Sequence, residues 1–311
     1  MSDLLTILAE GGRFGWAQLS RLSGKRVAQL RQEMDGLRQQ GLCFDDNESG
    51  LELIMPLAPL DGALLRRALS PYSVEIKRVI DSTNQYIMDN AEHLHKGALC
   101  LAEYQTAGRG RRGRRWLSPF AGQAIFSFYW HFNEARKASG LTLIIGMAIA
   151  EVLREMGAQG VALKWPNDLL LDGRKLGGIL AEVMHLRNGC LNLVVGVGIN
   201  LSLFATDEID QPWAELCEVL PNLDRNQLII RIIQRIYHYL ESFEQTGINT
   251  ELQEKWKKLN AFYRREVRVI TEQKVIWGVD RGIDEEGHLL LQNRNNELLR
   301  FNGGEVSLRG N

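Results

Sequence analysis

Leu4, Leu5, Ile7 and Leu8 open the chain with apolar positions at helical spacing, and Gly11-Gly12 ends the run. Trp16 to Leu22 repeats the pattern, and Ser23-Gly24 turns the chain. From Lys25 to Gln40, Val27, Leu30, Met34 and Leu37 recur every three or four residues, which predicts a longer helix closed by Gly41. The run LCFDDNESGLELIM then alternates around a polar tip at Asn47 and Gly50, which predicts a β-hairpin. Three helices and a hairpin in this order predict a winged helix-turn-helix. Pro56 and Pro59 mark the exit from it.

Between about 62 and 260 the periodicity changes. Gly97–Glu103 and Ala124–Phe132 predict strands, the second aromatic and nearly continuous. Leu141–Met156 predicts a buried helix. Val161–Trp165, Leu169–Leu171, Leu176–Val183 and Leu191–Ile199 predict further strands, and Gln227–Phe243 an amphipathic helix. Strands clustered by short turns favour α+β over a doubly wound sheet. From about 262, short strands at Glu266–Thr271, Lys274–Asp280, His288–Gln292 and Leu298–Phe301 predict a small β-barrel.

Composition narrows this picture. Thirty-seven basic residues against 38 acidic ones, 45% hydrophobic and 24% charged, describe a folded chain and not a generally basic nucleic-acid coat. Cys43, Cys100, Cys190 and Cys217 form no CxxC pair, so they predict reduced thiols and no zinc ribbon. The N-terminus lacks the basic and apolar regions of a signal peptide, and the longest apolar stretch, Leu141–Ala150, is too short for a membrane span; both predict a cytoplasmic protein with no membrane partner. In the expected helix–hairpin domain, Lys25, Arg26, Gln29 and Gln32 would face a groove, with Arg31 and Arg38 available for phosphates. A helical protein–protein module is the alternative, and the acidic tip Asp45-Asp46-Asn47-Glu48 favours it. Residues 1–55 carry six basic residues against eight acidic ones.

Four stretches carry the candidate chemistry. Gly108 to Trp116 holds five arginines and three glycines in nine residues. Such a stretch predicts a mobile loop that becomes ordered on a phosphate or carboxylate. It leaves one strand and enters another, unlike an arginine–glycine tract in a disordered tail. Lys164-Trp165-Pro166-Asn167-Asp168 is a polar turn. Gly173-Arg174-Lys175-Leu176-Gly177-Gly178 places a lysine where backbone can be approached closely. Asp81-Ser82-Thr83-Asn84 enters a helix and offers small donors and acceptors to a polar ligand head. Gly196-Val197-Gly198-Ile199-Asn200-Leu201 lacks the full dinucleotide-binding pattern. His93 and His95 have no third ligand nearby, and Trp256 and Trp277 are expected in the core.

In this order, IDSTNQY, AEYQTAGRGRRGRRW, LKWPNDLLL, GRKLGGIL and GVGINL closely resemble the motifs of biotin–protein ligases, in particular the bifunctional form that also represses the biotin operon. The resemblance spans essentially the whole chain. It implies a winged helix-turn-helix over 1–60, a mixed-sheet ligase domain with helices over 61–261, and an SH3-like β-barrel over 262–311. It also implies a reaction: biotin and ATP, with Mg²⁺, form biotinyl-5′-adenylate, and a lysine of the biotin carboxyl carrier protein then attacks and releases AMP.

The resemblance assigns Ser82, Thr83, Asn84, Gln105, Arg109, Gly110, Arg111, Lys175 and Gly178 to biotin. It assigns Lys175, Arg109 and Arg111 to catalysis, and Arg111, Asn167, Asp168, Asn200 and Trp213 to the nucleotide, with Asp168 touching Mg²⁺ and Trp213 stacking on adenine. It further implies a homodimer when adenylate is bound and operator DNA as a partner, with Lys25, Arg26, Gln29, Arg31 and Gln32 on the DNA. A lipoate–protein ligase, an inactive biotin-sensing regulator and an arginine-rich nucleic-acid binder are the competing readings.

Overall fold

Asp3 caps α1 (Leu4–Leu8) by accepting from the Thr6 amide at 2.7 Å. The computed structural model of the chain describes residues 3–39, 41–134, 138–187, 190–203, 212–271, 274–303 and 307–310. Helix α2 (Trp16–Ser23) ends on left-handed Gly24. Helix α3 (Val27–Gln39) begins two residues later than its periodicity suggested, because Ser20 Oγ and Ser23 Oγ bond the Lys25 backbone and hold it in the turn. Gln40, its expected last residue, lies outside the described residues. Strands β1 (Cys43–Asn47) and β2 (Gly50–Ile54) pair antiparallel with Asn47 opposite Gly50. Gly50 has φ +128°, and a Cβ there would lie 2.4 Å from the Phe14 carbonyl oxygen. Leu4, Leu8, Leu19, Leu30, Met34, Phe44 and Leu51 form one apolar cluster, continuous with Tyr104, Phe120 and Ala121 farther along the chain.

Helix α4 (Gly62–Ala68) leads into β3 (Val74–Ile80), α5 (Thr83–Asn90), β4 (Leu99–Gln105), β5 (Gln123–Phe132) and α6 (Leu141–Glu155). Next come β6 (Val161–Lys164), β7 (Asp168–Leu171), β8 (Arg174–Arg187), β9 (Cys190–Asn200), α7 (Arg225–Thr246) and α8 (Thr250–Leu259). The seven strands form one sheet in the order β3-β4-β5-β9-β8-β7-β6. Only β3 and β4 run parallel; the other neighbours are antiparallel. The sheet is therefore mixed and not doubly wound.

Alternation along the strands sorts the two faces. Phe126, Phe128, Trp130, Val195, Val197 and Ile199 point to the side where α6 and α7 contribute Ile144, Met147, Ile229, Ile233 and Leu240 to the main core. Ile125, Ser127, Gly196 and Gly198 fall on the opposite face, where α5 packs through Ile87. The candidate chemistry gathers there. Strand β3 and helices α4 and α8 carry too few buried positions for periodicity to expose them: of β3, only Val74 is fully buried.

The C-terminal strands β10 (Glu266–Ile270), β11 (Val275–Ile283), β12 (Leu289–Gln292), β13 (Leu298–Phe301) and β14 (Ser307–Gly310) form an antiparallel sheet ordered β13-β12-β11-β10-β14. The last strand was not expected, because SLRG has no apolar alternation. Asp280 within β11 is buried; it accepts from Asn260 Nδ2 at 3.0 Å and the Gly282 amide at 2.7 Å, and burial raises its pKa. Trp256 is buried as expected. Trp277 is not: it is 38% exposed on the outer face of this sheet, with the Arg268 guanidinium over its ring. All four cysteines are free, and burial pushes the Cys100 thiol up to about 12. Among the described residues, no helix is long and apolar enough to cross a membrane.

Candidate active site

Ser82 caps α5 by accepting from the Gln85 amide, which presents Ser82, Thr83 and Asn84 at the mouth of that helix. Parallel pairing of β3 with β4 sets Ile80 beside Gln105. The Thr83 amide donates to Gln105 Oε1 at 2.8 Å. Asn84 Nδ2 donates to Glu182 Oε2 at 2.6 Å, and Asn84 Oδ1 accepts from Ser127 Oγ at 2.5 Å. All five groups except Glu182 are nearly or fully buried. Burying this many polar atoms is tolerable only because each finds a partner.

The glycine–arginine segment folds back on itself. Gly110 N donates to Arg114 O at 2.7 Å, Trp116 N to Gly108 O at 2.8 Å, and Arg109 pairs with Arg115 as an isolated bridge. A one-turn 3₁₀ segment spans Arg111–Gly113, with Arg112 and Gly113 both at positive φ. Protein groups engage its two inner arginines. Arg109 Nη2 lies 3.1 Å from Glu182 Oε2. Arg111 donates to Asn167 Oδ1 at 3.0 Å and to the Gly303 carbonyl. Burial, and then Arg112 beside it, lowers the Arg111 pKa from the usual guanidinium range; an arginine so shifted still carries its charge at neutral pH.

Lys175 stands at the start of β8, where the register with β7 shifts between Leu169 and Leu170. Its ammonium is 2.8 Å from Asp168 Oδ1 and lies over the Trp116 ring. Lys164 approaches the other Asp168 oxygen at 3.8 Å. One cavity of about 170 Å³ joins these groups: Ser82, Thr83, Asn84, Gln105, Arg109, Gly110, Arg111, Asn167, Asp168, Lys175 and Gly178 all line it. Among the described residues, seven cationic side chains (Arg109, Arg111, Arg112, Arg114, Arg115, Lys164, Lys175) line it against the single carboxylate of Asp168. Such a surplus suits an anionic ligand. A second space of about 230 Å³ adjoins it, sharing Arg111, Trp165, Pro166, Asn167, Ile179 and Leu180. The two together have room for a ligand of two joined parts.

Two predicted residues do not reach the cavity. Asn200 is buried behind it, with Oδ1 accepting from Gln123 Nε2 at 2.7 Å and Nδ2 donating to the Ala214 carbonyl. Trp213 brackets Lys175 through backbone: the Lys175 amide donates to Pro212 O, and the Ala214 amide to Lys175 O. Its ring is not among the cavity's lining groups. Asp168 pairs with Lys175 through one oxygen and is approached by Lys164 at the other. His93 and His95 are exposed apart from the site.

Other residues of the site were missed. Trp116 forms a cavity wall, with Nε1 donating to Gln123 Oε1 at 3.1 Å. Its place at the end of the arginine run was the available clue. Ser127 is the lone small hydroxyl inside an aromatic strand, which marks it as a polar insertion into a core. Glu182 is a carboxylate in an otherwise apolar strand run. The Gly198 backbone is the floor beneath Trp116: a Cβ there would lie 2.6 Å from the indole. Gly198→Ala should therefore push the ring into the cavity, lower stability by about 1–3 kcal/mol and weaken ligand binding. Tryptophan fluorescence and ligand titration of the variant check this; an unaltered spectrum and affinity would contradict it.

The chain matches the Biotin/lipoate A/B protein ligase family over residues 76–200 and the Biotin protein ligase C terminal domain over 265–309. It is 41% identical over 310 residues to the bifunctional ligase/repressor BirA of Salmonella typhimurium, covering 98% of this chain and 96% of that protein. It is 40% identical, with the same coverage, to BirA of Escherichia coli K12. A solved biotin protein ligase from Aquifex aeolicus, in complex with biotin and ATP, superposes with a TM-score of 0.67 at 29% identity, covering 77% of this chain and 99% of that one. Near-full-length similarity on both sides, together with a cavity that collects the motif residues, places this chain in the biotin protein ligase family, alongside its bifunctional ligase/repressors.

Proposed function

We infer that the protein is an ATP-dependent biotin–protein ligase that forms biotinyl-5′-AMP and transfers biotin to a lysine of a biotin carboxyl carrier protein. The observation that carries this reading is one cavity lined together by Lys175, countered by Asp168, by the polar groups of Ser82–Asn84 and Gln105, and by the inner arginines. Joining a carboxylate to the α-phosphate of ATP brings two anions together. An ammonium between them offsets their repulsion, and fixed guanidinium groups stabilise charge on the phosphates as pyrophosphate leaves. Arg109 and Arg111, held by Glu182, Asn167 and Gly303, are preorganised for that task. Mg²⁺, when bound with ATP, would offset charge on the phosphates, and Asp168, a carboxylate lining the cavity, is the residue that would hold it.

The adenylate is a mixed anhydride that water would hydrolyse, so the arginine segment that roofs the cavity protects it until the acceptor lysine arrives. An inactive sensor does not fit a site in which Lys175 and all five loop arginines line the cavity. Incubation with biotin and ATP should leave adenylate bound to the protein, and carrier domain should then release AMP. Adenylate retained without AMP release would favour the sensor instead.

The same reading assigns 1–60 to a winged helix-turn-helix, 61–261 to the ligase domain and 262–311 to an SH3-like barrel, in a cytoplasmic protein that also represses the biotin operon. Arg26, just before α3, and Gln29, Arg31 and Gln32 on it are exposed. Lys25 pairs with Glu33 at 2.7 Å, and Arg31 stacks on Trp16 and reaches Asp46 at 3.2 Å. Asp45 pairs with Arg13. Asp45, Asp46 and Glu52 of the hairpin thus have cationic partners, which reduces their repulsion of phosphates. If adenylate favours a homodimer, and the dimer favours a two-fold operator, linkage makes biotin with ATP tighten DNA binding. Mobility shift on the biotin-operon upstream region should show a biotin- and ATP-dependent complex that weakens with salt. A shift indifferent to biotin would remove the repressor role and leave the ligase standing.

A further inference from the structure

Ser127 lies outside the cavity wall, fully buried on β5, yet it joins two groups that line the cavity. Its hydroxyl is 2.6 Å from Thr83 Oγ1 and 2.5 Å from Asn84 Oδ1. The direction of each proton in this chain can be deduced. Glu182, as a carboxylate in contact with Arg109, only accepts, so Asn84 must turn Nδ2 toward it and Oδ1 away. Asn84 Oδ1 only accepts, so the single Ser127 proton is committed to it. The 2.6 Å contact between Thr83 and Ser127 is then filled by Thr83 donating and Ser127 accepting, while Gln105 Oε1, 3.1 Å from Thr83 Oγ1, is a second and longer acceptor for the same proton. The Gln105 orientation agrees, since Oε1 takes the Thr83 amide proton and Nε2 faces Ser118 Oγ at 3.3 Å. Gly196 keeps the array tight, because a Cβ there would lie 2.3 Å from Asn84 Oδ1.

We propose that the Glu182–Asn84–Ser127 relay is a specificity device: by drawing the Thr83 proton inward at its shorter contact, with Gln105 Oε1 as the longer one, it presents the Thr83 hydroxyl to the cavity as a hydrogen-bond acceptor. The ring end of the acid must then bring an N–H donor. A cyclic urea does so, and a dithiolane does not. A site built around a buried polar group rejects ligands that leave that group unpaired more strongly than it rejects mere differences in shape. The inference rests on the biotin-ligase reading and names the part of the site that separates biotin from lipoate. Ser127 and Glu182 act here through Thr83 and Asn84, as positioning residues.

The test compares biotin with its N,N′-dimethyl derivative, which keeps the ring and valerate chain but lacks both donors. Each is titrated by calorimetry into the full-length protein and its Ser127→Ala and Glu182→Gln variants. Both variants should bind biotin about tenfold more weakly, while affinity for the dimethyl derivative changes less than twofold. Adenylation at saturating biotin should change little in Ser127→Ala, so the loss falls on KM. Should Ser127→Ala fail to fold, Glu182→Gln carries the comparison alone. Equal losses for both ligands, or no loss for biotin, overturn the relay. Wild-type protein that binds no biotin overturns the ligase reading and the relay with it.

Discussion

Replacing Lys175 with alanine should lower the rate of adenylate formation by about two to three orders of magnitude, the scale of losing one preorganised charge at a developing oxyanion. Fold stability should change little, because the ammonium is partly exposed and its partner Asp168 keeps Lys164. Lys175→Arg should recover only part of the rate. The guanidinium is wider and planar, and it would meet Trp116 and Asp168 differently from a compact ammonium. Pyrophosphate release from biotin and ATP, measured without carrier, checks the first step alone. A Lys175→Ala protein with near-normal pyrophosphate release would remove the lysine from the chemistry.

The second large effect concerns stability. Arg225, at the start of α7, is 2% exposed and pairs with Glu103, which is 1% exposed. Glu103 also accepts from the Leu60 amide at 2.5 Å, and Arg225 Nε donates to the Gln123 carbonyl at 2.9 Å. One Arg225 nitrogen, Nη2, has no hydrogen-bond partner among the described residues. Removing either partner leaves a buried charge uncompensated, so Glu103→Ala or Arg225→Ala should each destabilise by about 3–5 kcal/mol. The double replacement Glu103→Ala/Arg225→Ala should cost less than the two single losses together, because no stranded charge remains. Denaturant midpoints of the four proteins settle the comparison. Additive losses in the double variant would show that the pair is not coupled. The pair also bears on the site, since Gln123 supports both Trp116 and Asn200.

Much of the architecture was legible because burial wrote it into the periodicity. The nearly continuous apolar run of β5, buried on both faces, and the apolar face of α7 are such cases. Strand β3 was not legible, since its side chains other than Val74 are partly or fully exposed, and β14 carries no alternation at all. Trp277 misled for the opposite reason: a large apolar residue was expected inside, but the Arg268 guanidinium over its ring lets it sit outside.

The site was legible where chemistry is concentrated in short motifs, as with Ser82–Asn84, Arg109–Arg111 and Lys175. It was not legible where a role depends on contacts across the sheet. Glu182 is 98 residues from Asn84, and Ser127 is 43. Their partners are set by the order β5-β9-β8, which no local pattern contains. Asn200 and Trp213 belong to motifs as well, and their contacts with Gln123 and Lys175 likewise cross from strand to strand, where no local pattern shows them.

The most direct test of the central claim is the intact mass of a carrier domain bearing one target lysine, after incubation with this protein, biotin, ATP and Mg²⁺. A gain of one biotinyl group per carrier, with matching AMP release and none when that lysine is replaced, is the predicted result. An unchanged carrier mass, with biotin and ATP both bound by the protein, would contradict ligase activity.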